Sequence, residues 1–203
     1  MTIKISARDV RMDYAARGAS ERVRVLEGFD LDVREGEFLS VLGPSGCGKS
    51  TFLGILAGLT ERTGGRIAIN GQPLAGINRN QGVVFQGYAL FPWLSVLDNI
   101  AVGLEIRGIG KAERRRTAHE YLELVGLHGF ADRYPHEISG GMKQRVAIAR
   151  SLAYRPDVLL MDEPFAALDA QTREVLQGEL LRIWEQYRKT IVFITHSLEE
   201  AVY

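Results

Sequence analysis

The sequence has very little of what would place it in several large classes of protein. It contains one cysteine, Cys47, so it has no internal disulfide and cannot be a small disulfide-stabilised scaffold. No run approaches the roughly 18 apolar residues of a membrane-spanning helix, and residues 1–14 lack the apolar stretch of a signal peptide. We therefore expect a protein of the reducing cytoplasm that meets a membrane only through a partner.

Neither sign of charge is in excess. The 25 Lys and Arg residues balance 25 Asp and Glu residues. Affinity for duplex DNA rests on clustered cations, and the basic triplet at 114–116 is too short to supply them, so we predict no nucleic-acid partner. A chain of 203 residues that is 46% hydrophobic and 25% charged is typical of one globular domain, which excludes disorder.

Short apolar runs alternate with amphipathic segments, a pattern that predicts a doubly wound α/β core. Four runs are almost continuously apolar, as in parallel strands covered on both faces: 38–42, 82–85, 158–161 and 191–195. Helical periodicity occupies 50–59 and 176–187. Residues 23–33 and 66–70, the latter followed by an Asn-Gly turn signal, predict a small antiparallel β-subdomain at the edge of the core.

Strand signals disappear between residues 87 and 154, where helical periodicity takes over. Within 111–125 it places Ala118, Leu122 and Val125 on one face. We predict one domain over 1–203, in which 1–86 and 155–203 form the core with its β-subdomain and 87–154 form a helical subdomain. Residues 197–203 begin a helix with a serine cap and then stop without a C-terminal signal, which suggests a cut chain.

A glycine-rich loop follows the first apolar run and opens an amphipathic helix, which is the context of a phosphate-binding loop. Its glycines let backbone N–H groups converge on an anion, and the helix N-terminus adds its dipole. The side chain of Lys49 can reach the β- and γ-phosphates, and the hydroxyl of Ser50 can ligate Mg²⁺. The alternative is a plain glycine-rich turn. The predicted nucleotide contacts are Gly43, Pro44, Ser45, Gly46, Cys47, Gly48, Lys49, Ser50 and Thr51.

Two carboxylates, Asp162 and Glu163, end the apolar run at 158–161. Ligands of open α/β sheets bind beyond the carboxyl ends of the strands, so both residues should lie near the phosphates. We predict that Asp162 holds Mg²⁺, directly or through a water, and that Glu163 is the general base that polarises the attacking water. Solvated strand-end acids without a function are the alternative.

Other polar and aromatic residues follow the apolar runs. His196 could contact the γ-phosphate or the water, and the amide of Gln86 suits Mg²⁺ and the water without changing the net charge. A structural histidine and an ordinary loop glutamine are the alternatives. The aromatic residues Tyr88, Phe91 and Trp93 come next, and they form either a hinge that packs inward or a docking surface for a partner.

A Ser-Gly-Gly turn, made by Ser139, Gly140 and Gly141, opens another predicted helix. Ser139 is a plausible N-cap, and the turn with its helix start can bind a second anion. One chain then has two phosphate sites but one phosphate loop. A two-fold dimer would let each turn serve the nucleotide of the other copy. A plain helix cap is the alternative.

Together these motifs resemble the nucleotide-binding subunits of ATP-binding cassette (ABC) transporters, over essentially the whole chain. In the family's order they are the phosphate loop 43–51, Gln86 of the Q-loop, the signature 139–143, Asp162 and Glu163, the D-loop Ala167-Leu168-Asp169 and the switch residue His196. The segments FPWLSVLDNI, RYPHEISGGMKQRVAIARSL and MDEPFAALDA resemble in particular the importers for nitrate, taurine and aliphatic sulfonates.

The resemblance implies an α/β fold with a P-loop (RecA-like) core, ATP and Mg²⁺ as cofactors, and ATP hydrolysis coupled to solute uptake. It implies a head-to-tail homodimer with ATP at the interface, with Tyr14 stacked on adenine. Transmembrane permease subunits would dock on the helical subdomain and on the segment after Gln86. An extracytoplasmic solute-binding protein would join the complex, and the chain would lie on the cytoplasmic face of the plasma membrane. Met142 replaces the signature's usual glutamine, which removes one polar contact.

Two other functions fit the sequence less well. A soluble ABC protein of translation or DNA repair would have tandem cassettes or a long coiled-coil insert, and neither is present. A P-loop GTPase or nucleoside kinase would need a guanine-reading N-K-x-D motif or a basic lid, and N-K-x-D is absent. The sequence therefore favours a transport-coupled ATPase, and it does not identify the solute.

Overall fold

The structure, a computed structural model, describes residues 2–15, 22–166 and 168–202. Its strands are β1 (Ile3–Ala15), β2 (Arg22–Arg34), β3 (Phe38–Leu42), β4 (Gly64–Ile69), β5 (Gln72–Pro73), β6 (Gln81–Val84), β7 (Val158–Asp162) and β8 (Thr190–Thr195). Its helices are α1 (Lys49–Leu56), α2 (Val96–Ile106), α3 (Lys111–Leu124), α4 (Gly140–Ala153), α5 (Ala170–Tyr187) and α6 (Leu198–Val202), with a 3₁₀ turn at Pro135–Glu137.

The four apolar runs form one parallel sheet in the order β3-β8-β7-β6. Strand β8 is buried along its whole length and β7 along all but its last residue, as expected of central strands with both faces covered. The α/β fold predicted from the alternating pattern is confirmed. Strand β6 ends at Val84, however, so Gln86 lies in the loop beyond the strand rather than at its last position.

A second sheet is antiparallel, with the order β2-β1-β4-β5. The sequence predicts β2 and β4 but misses β1, the strand between them. Strand β1 buries Ile5 and Ala7, and then, after a register shift at Asp9, it buries Val10 and Met12. This irregularity, where Asp9 has φ +50°, moves the buried positions from odd to even numbers and destroys the alternation that identifies a strand.

Replacing Gly65 by alanine is expected to destabilise the fold more than the same change at Gly71. Both glycines have positive φ, +78° and +72°, so alanine at either position carries about 1 kcal/mol of strain. A Cβ at residue 65 would also lie 2.2 Å from the carbonyl oxygen of Asp9, whereas nothing lies within 4 Å of one at residue 71. This clash should add about 1–3 kcal/mol. Urea unfolding measures both losses, and equal losses would contradict the close approach.

The signature helix α4 belongs to two layers. One face, with Val146, Ala149 and Ala153, is buried in a hydrophobic cluster with α2 and α3. The opposite face, with Ile148 and Leu152, is buried in a cluster with β7, β8 and α5. Because α4 packs on both sides, a movement of α2 and α3 relative to the parallel sheet would have to shift one of its two interfaces. The subdomain boundary at residue 154 stays a prediction.

The helices end where local chemistry stops them. Helix α1 ends at Leu56 rather than at the predicted Leu59, because Gly58 adopts φ +72° against the backbone of Gly76, and Leu59 is exposed. Helix α6 is capped as predicted, since the hydroxyl of Ser197 accepts a bond from the amide of Glu200 at 3.4 Å, while residue 203 lies outside the described part of the chain. None of the helices in the described part is long and apolar enough to cross a membrane.

Candidate nucleotide site

The glycine-rich loop 43–51 connects β3 to α1 and forms an open concavity. Gly48 is the N-cap of α1 with φ +98°, and Gly46 has φ +80°, conformations that residues with a Cβ rarely adopt. A Cβ on Gly46 would meet no heavy atom within 4 Å, so this side of the loop faces free space. On the other side the loop packs on β2, since a Cβ on Gly48 would lie 3.0 Å from the carbonyl oxygen of Val25. The loop therefore presents its backbone to a ligand while it is supported from behind.

The ammonium group of Lys49 is held inside this loop. The residue is 8% exposed, and its Nζ donates hydrogen bonds to the carbonyl oxygens of Gly43 at 2.7 Å and Pro44 at 2.9 Å. The nearest carboxylate oxygen, Oε1 of Glu163, lies 4.0 Å away. Since carbonyl oxygens are neutral, the positive charge of Lys49 is only partly compensated and can attract the phosphates of a ligand.

Ser50 and Asp162 join the loop to the end of β7. The Ser50 hydroxyl donates to Oδ1 of Asp162 at 2.9 Å. Burial raises the pKa of Asp162, the hydrogen bond from Ser50 offsets part of that rise, and the neighbouring Glu163 carboxylate adds to it. A bound cation would oppose both the effect of burial and the repulsion by Glu163, because it stabilises the ionised form of Asp162. Hydroxyl and carboxylate oxygens are the hard ligands that Mg²⁺ prefers, and this ion usually takes few protein ligands beside phosphates and water.

Glu163 has an unusual backbone conformation that directs its carboxylate. Its φ is +43°, and its amide donates to the carbonyl oxygen of Ile194 at 3.0 Å, which continues the pairing of β7 with β8. Its Oε2 lies 3.1 Å from Nδ1 of His196. An ionised carboxylate can only accept, so a His196 tautomer with its hydrogen on Nδ1 is the one that would donate to it. The sequence predicts both residues for the site but does not reveal this contact.

Eight of the predicted residues line one cleft of about 430 Å³. It is lined by Val25, Ser45, Gly46, Gly48, Lys49, Ser50, Thr51, Gln86 and Glu163. Only Val25 was missed by the sequence, since nothing in an alternating strand marks which of its residues meets a distant loop. Gln86 reaches the same cleft as Lys49 although it lies beyond β6, so the loop after this strand contributes to the site.

The remaining candidates do not line this cleft. Gly43, Pro44 and Cys47 belong to the same loop but not to the lining, while Asp162 and His196 contact the lining residues Ser50 and Glu163 from outside it. Tyr14 lies near the end of β1, where it pairs with Val23 and is half exposed. Ser139 caps α4 as predicted, because its hydroxyl accepts a bond from the amide of Met142 at 3.3 Å. Gly140 and Gly141, beside it, likewise lie outside the cleft lining. Residue 167, the first of the three predicted D-loop residues, lies outside the described part of the chain.

Alkylation of Cys47 with a bulky maleimide is expected to block ATP binding. Cys47 is exposed and lies between Gly46 and Gly48, which both line the cleft, so an added ring should obstruct the place proposed for the phosphates. Bound Mg·ATP should in turn slow the labelling, since access governs thiol reactivity. Cys47→Ser is the matched control, and its ATP binding should be insensitive to the reagent because no other cysteine is present. Equal labelling rates with and without Mg·ATP would contradict the placement of the loop.

Comparison with known proteins gives one family. The ABC transporter family matches residues 26–166. An uncharacterised ABC transporter ATP-binding protein of Methanocaldococcus jannaschii is 51% identical over 100% of this chain and 75% of its own length. The taurine import ATP-binding protein TauB of Pseudomonas aeruginosa is 50% identical over 98% of this chain and 75% of its own length.

A solved structure extends the likeness to the fold. A dimeric ATP-binding cassette in a post-hydrolysis state, bound to ADP and Pi, superposes with a TM-score of 0.86 at 35% identity. The match covers 97% of this chain and 90% of that one. The family and the cassette fold predicted from the order of the motifs are confirmed. The chain belongs to the ABC transporter family, as one of its ATP-hydrolysing cassettes.

Proposed function

We propose that this cassette is the ATP-hydrolysing subunit of an importer of the nitrate, taurine or sulfonate type. The observation that carries the proposal is the convergence of Lys49, Ser50, Asp162, Glu163 and His196 at one edge of the parallel sheet. A general base, a cation-binding pair and a lysine for the phosphates are thereby within a few ångströms of one another. The similarity to a taurine import protein supports the importer class.

The site fits Mg·ATP. The backbone of loop 43–51 and Lys49 would hold the phosphates, and the Ser50 hydroxyl, the Asp162 carboxylate and the Gln86 amide would hold Mg²⁺. Bound there, the cation neutralises charge that develops on the phosphate oxygens. Within the described residues no group of three His, Cys, Asp or Glu side chains is arranged to hold a metal by itself, which agrees with a cation shared with phosphates. Tyr14 would stack on the adenine.

In hydrolysis, Glu163 would accept the proton of the water that attacks the γ-phosphorus in line, as the bond to the β-phosphate oxygen breaks. The contact with Nδ1 of His196 would orient the Glu163 carboxylate, and the same imidazole would contact the γ-phosphate. Lys49 stabilises the charge on the phosphates from inside the loop. The left-handed backbone of Glu163 maintains this arrangement at a cost in conformational energy, which is common at functional positions.

A homodimer would complete the site. The signature residues Ser139 and Gly141 do not line the cleft of their own chain, and a related cassette is dimeric. We infer a head-to-tail dimer in which each signature contacts the ATP of the other chain. The cassette would lie on the cytoplasmic face of the membrane and bind a transmembrane permease, which would carry a solute-binding protein on its outer side. Trp93, 71% exposed, and Phe91, 36% exposed, favour docking over inward packing as the role of the aromatic segment.

Two measurements on the native protein test the proposal. The purified chain should hydrolyse ATP only with Mg²⁺, and Lys49→Ala should abolish that activity. Affinity purification from membranes should recover permease subunits, whereas recovery with ribosomes or DNA would favour a soluble ABC protein. Absence of Mg²⁺-dependent hydrolysis in a folded preparation that includes its permease would contradict the proposal.

A further inference from the structure

The loop that follows Gln86 has a strained backbone. Tyr88 has φ +60° and Ala89 has φ +48°, so two consecutive residues with a Cβ occupy the left-handed region. The Ala89 amide also donates to the carbonyl oxygen of Gly87 at 2.6 Å, which closes a three-residue turn around Tyr88. A turn of this kind with positive φ at its centre is rare and strained. Such a conformation persists only where surrounding contacts hold it.

Arg150, on helix α4, makes those contacts. Its Nη1 donates to the carbonyl oxygen of Ala89 at 2.6 Å and its Nη2 donates to that of Tyr88 at 3.0 Å. The planar guanidinium presents its donors as a fork, which matches two adjacent carbonyls. Burial lowers the pKa of Arg150, and none of the carboxylates in the described residues offsets this with an ion pair. The hydrogen bonds of this half-buried cation go to the two carbonyl oxygens of the turn, and its guanidinium also lies 6.0 Å from the ring centroid of Phe91, two residues further along the same loop.

Arg150 also connects two parts of the predicted machinery. It lies on the helix that begins with the signature residues Gly140 and Gly141, and the turn it holds begins immediately after Gln86. At the other end of the same helix, a Cβ on Gly140 would lie 3.1 Å from the Tyr88 hydroxyl, so Tyr88 packs close to the signature. The loop after Gln86 therefore lies against α4 at both ends of the helix, through hydrogen bonds at Arg150 and through the close approach of Tyr88 at Gly140.

We propose that Arg150 is a positioning residue that fixes the left-handed turn at Tyr88 and Ala89 and thereby holds Gln86 in the nucleotide cleft. The proposal rests on the proposed function only in its second half, the use of Gln86 toward Mg²⁺. The loop is fixed at one side by β6, which ends two residues before Gln86, and at the other side by Arg150. Without the arginine, Tyr88 and Ala89 would relax toward negative φ, and Gln86 would lose its fixed position.

Hydrogen exchange tests the first half without any ligand. Arg150→Met keeps a flexible apolar side chain in place of the aliphatic part of arginine and removes both donors, so the amides of residues 87–89 should exchange at least about tenfold faster. Ala89→Gly in the same variant should recover much of the protection, because glycine adopts positive φ without a Cβ penalty. Ala89→Gly alone should behave like the parent chain.

The Mg²⁺ dependence of ATP hydrolysis tests the second half. In Arg150→Met the Mg²⁺ concentration for half-maximal activity should rise by about tenfold, the equivalent of one hydrogen bond to a charged group. Adding Gln86→Ala to Arg150→Met should raise it little further, since coupled residues are not additive. Direct titration of the ATP complex with Mn²⁺, followed by electron paramagnetic resonance, should show the same ranking of affinities.

Arg107 supplies a matched control. This arginine also donates to two backbone carbonyls, those of Tyr154 and Arg79, and its guanidinium lies 4.8 Å from the ring centroid of Tyr154, but it does not line the nucleotide cleft. Arg107→Met should reduce stability and leave the Mg²⁺ dependence unchanged. An equal rise in the Mg²⁺ requirement there would reduce the role of Arg150 to general stability and overturn the proposal.

Two other results would overturn it. One is unchanged exchange of residues 87–89 in Arg150→Met, which would show that the turn is stable by itself. The other is faster exchange with unchanged Mg²⁺ affinity, which would separate the turn from Gln86. If the parent chain with its permease showed no Mg²⁺-dependent hydrolysis, the proposed function would fail, while the exchange measurements would still decide whether Arg150 holds the turn.

Discussion

Glu163→Gln is expected to lower the rate of ATP hydrolysis by about 10²-fold or more, the usual cost of removing a general base, while ATP still binds. The amide has nearly the same shape as the carboxylate but cannot accept the proton of the water. Its oxygen can still accept a hydrogen bond from Nδ1 of His196, which now lies beside Oε2. Loss of the negative charge 4.0 Å from Lys49 Nζ should not weaken the attraction of the lysine for phosphate.

The variant should therefore trap ATP, and the dimer should stay closed. Single-turnover hydrolysis, nucleotide binding and light scattering measure the three effects separately. Glu179→Gln is a matched control, because Glu179 is also a partly buried carboxylate, paired with Arg145 at 3.5 Å, and does not line the cleft. That change should leave the hydrolysis rate unaltered. Unchanged turnover in Glu163→Gln would refute its assignment as the base.

Mixing two inactive variants, Lys49→Ala and Gly141→Asp, should restore ATP hydrolysis. Each homodimer has two defective sites, one through its phosphate loops and the other through its signatures. In the proposed dimer, each site takes its loop from one chain and its signature from the other. A mixed dimer would therefore gather both defects in one site and leave the other site intact. Activity should rise from background to at most the level that one working site permits.

The structure changes how the signature variant should be made. A Cβ on Gly141 would lie 2.5 Å from Cγ2 of Thr172 on helix α5, so aspartate there would displace the helix as well as repel phosphate. Thr172→Ser removes this methyl group and keeps the hydroxyl that supports Asp169, the N-cap of α5. Gly141→Asp should therefore be prepared in the Thr172→Ser background, with Thr172→Ser alone as the active control.

The outcomes of mixing separate the shared site from its alternatives. The specific activity of the parent chain should also rise with concentration through the range in which it dimerises. No restored activity, under conditions in which mixed dimers demonstrably form, would mean that both sites must be intact or that each signature acts within its own chain. A monomer with activity independent of concentration would exclude sharing.

Elements whose cause is local could be predicted from the residues alone. Continuous apolar runs identified the strands of the parallel sheet, because burial on both faces requires apolar side chains at every position. The spacing of Gly43, Gly46, Gly48 and Lys49 identified the phosphate loop, because a tight anion-binding turn before a helix tolerates few other residues. The cap at Ser139 was predictable for the same reason, since the hydroxyl and the amide that it accepts from are three residues apart.

Features that depend on contacts with distant backbone could be found only in the folded chain. Strand β1 was invisible because the irregularity at Asp9 reverses its alternation, and Gly65, which accommodates it, is more than fifty residues away. Two contacts of the site region depend on positive φ values at residues other than glycine, which the residue type does not predict. They are the contact of Glu163 with His196 and the hydrogen bond from Arg150 to Ala89. Periodicity reports which side of an element is buried, whereas the direction of one carboxylate or guanidinium is set by the packing of the whole fold.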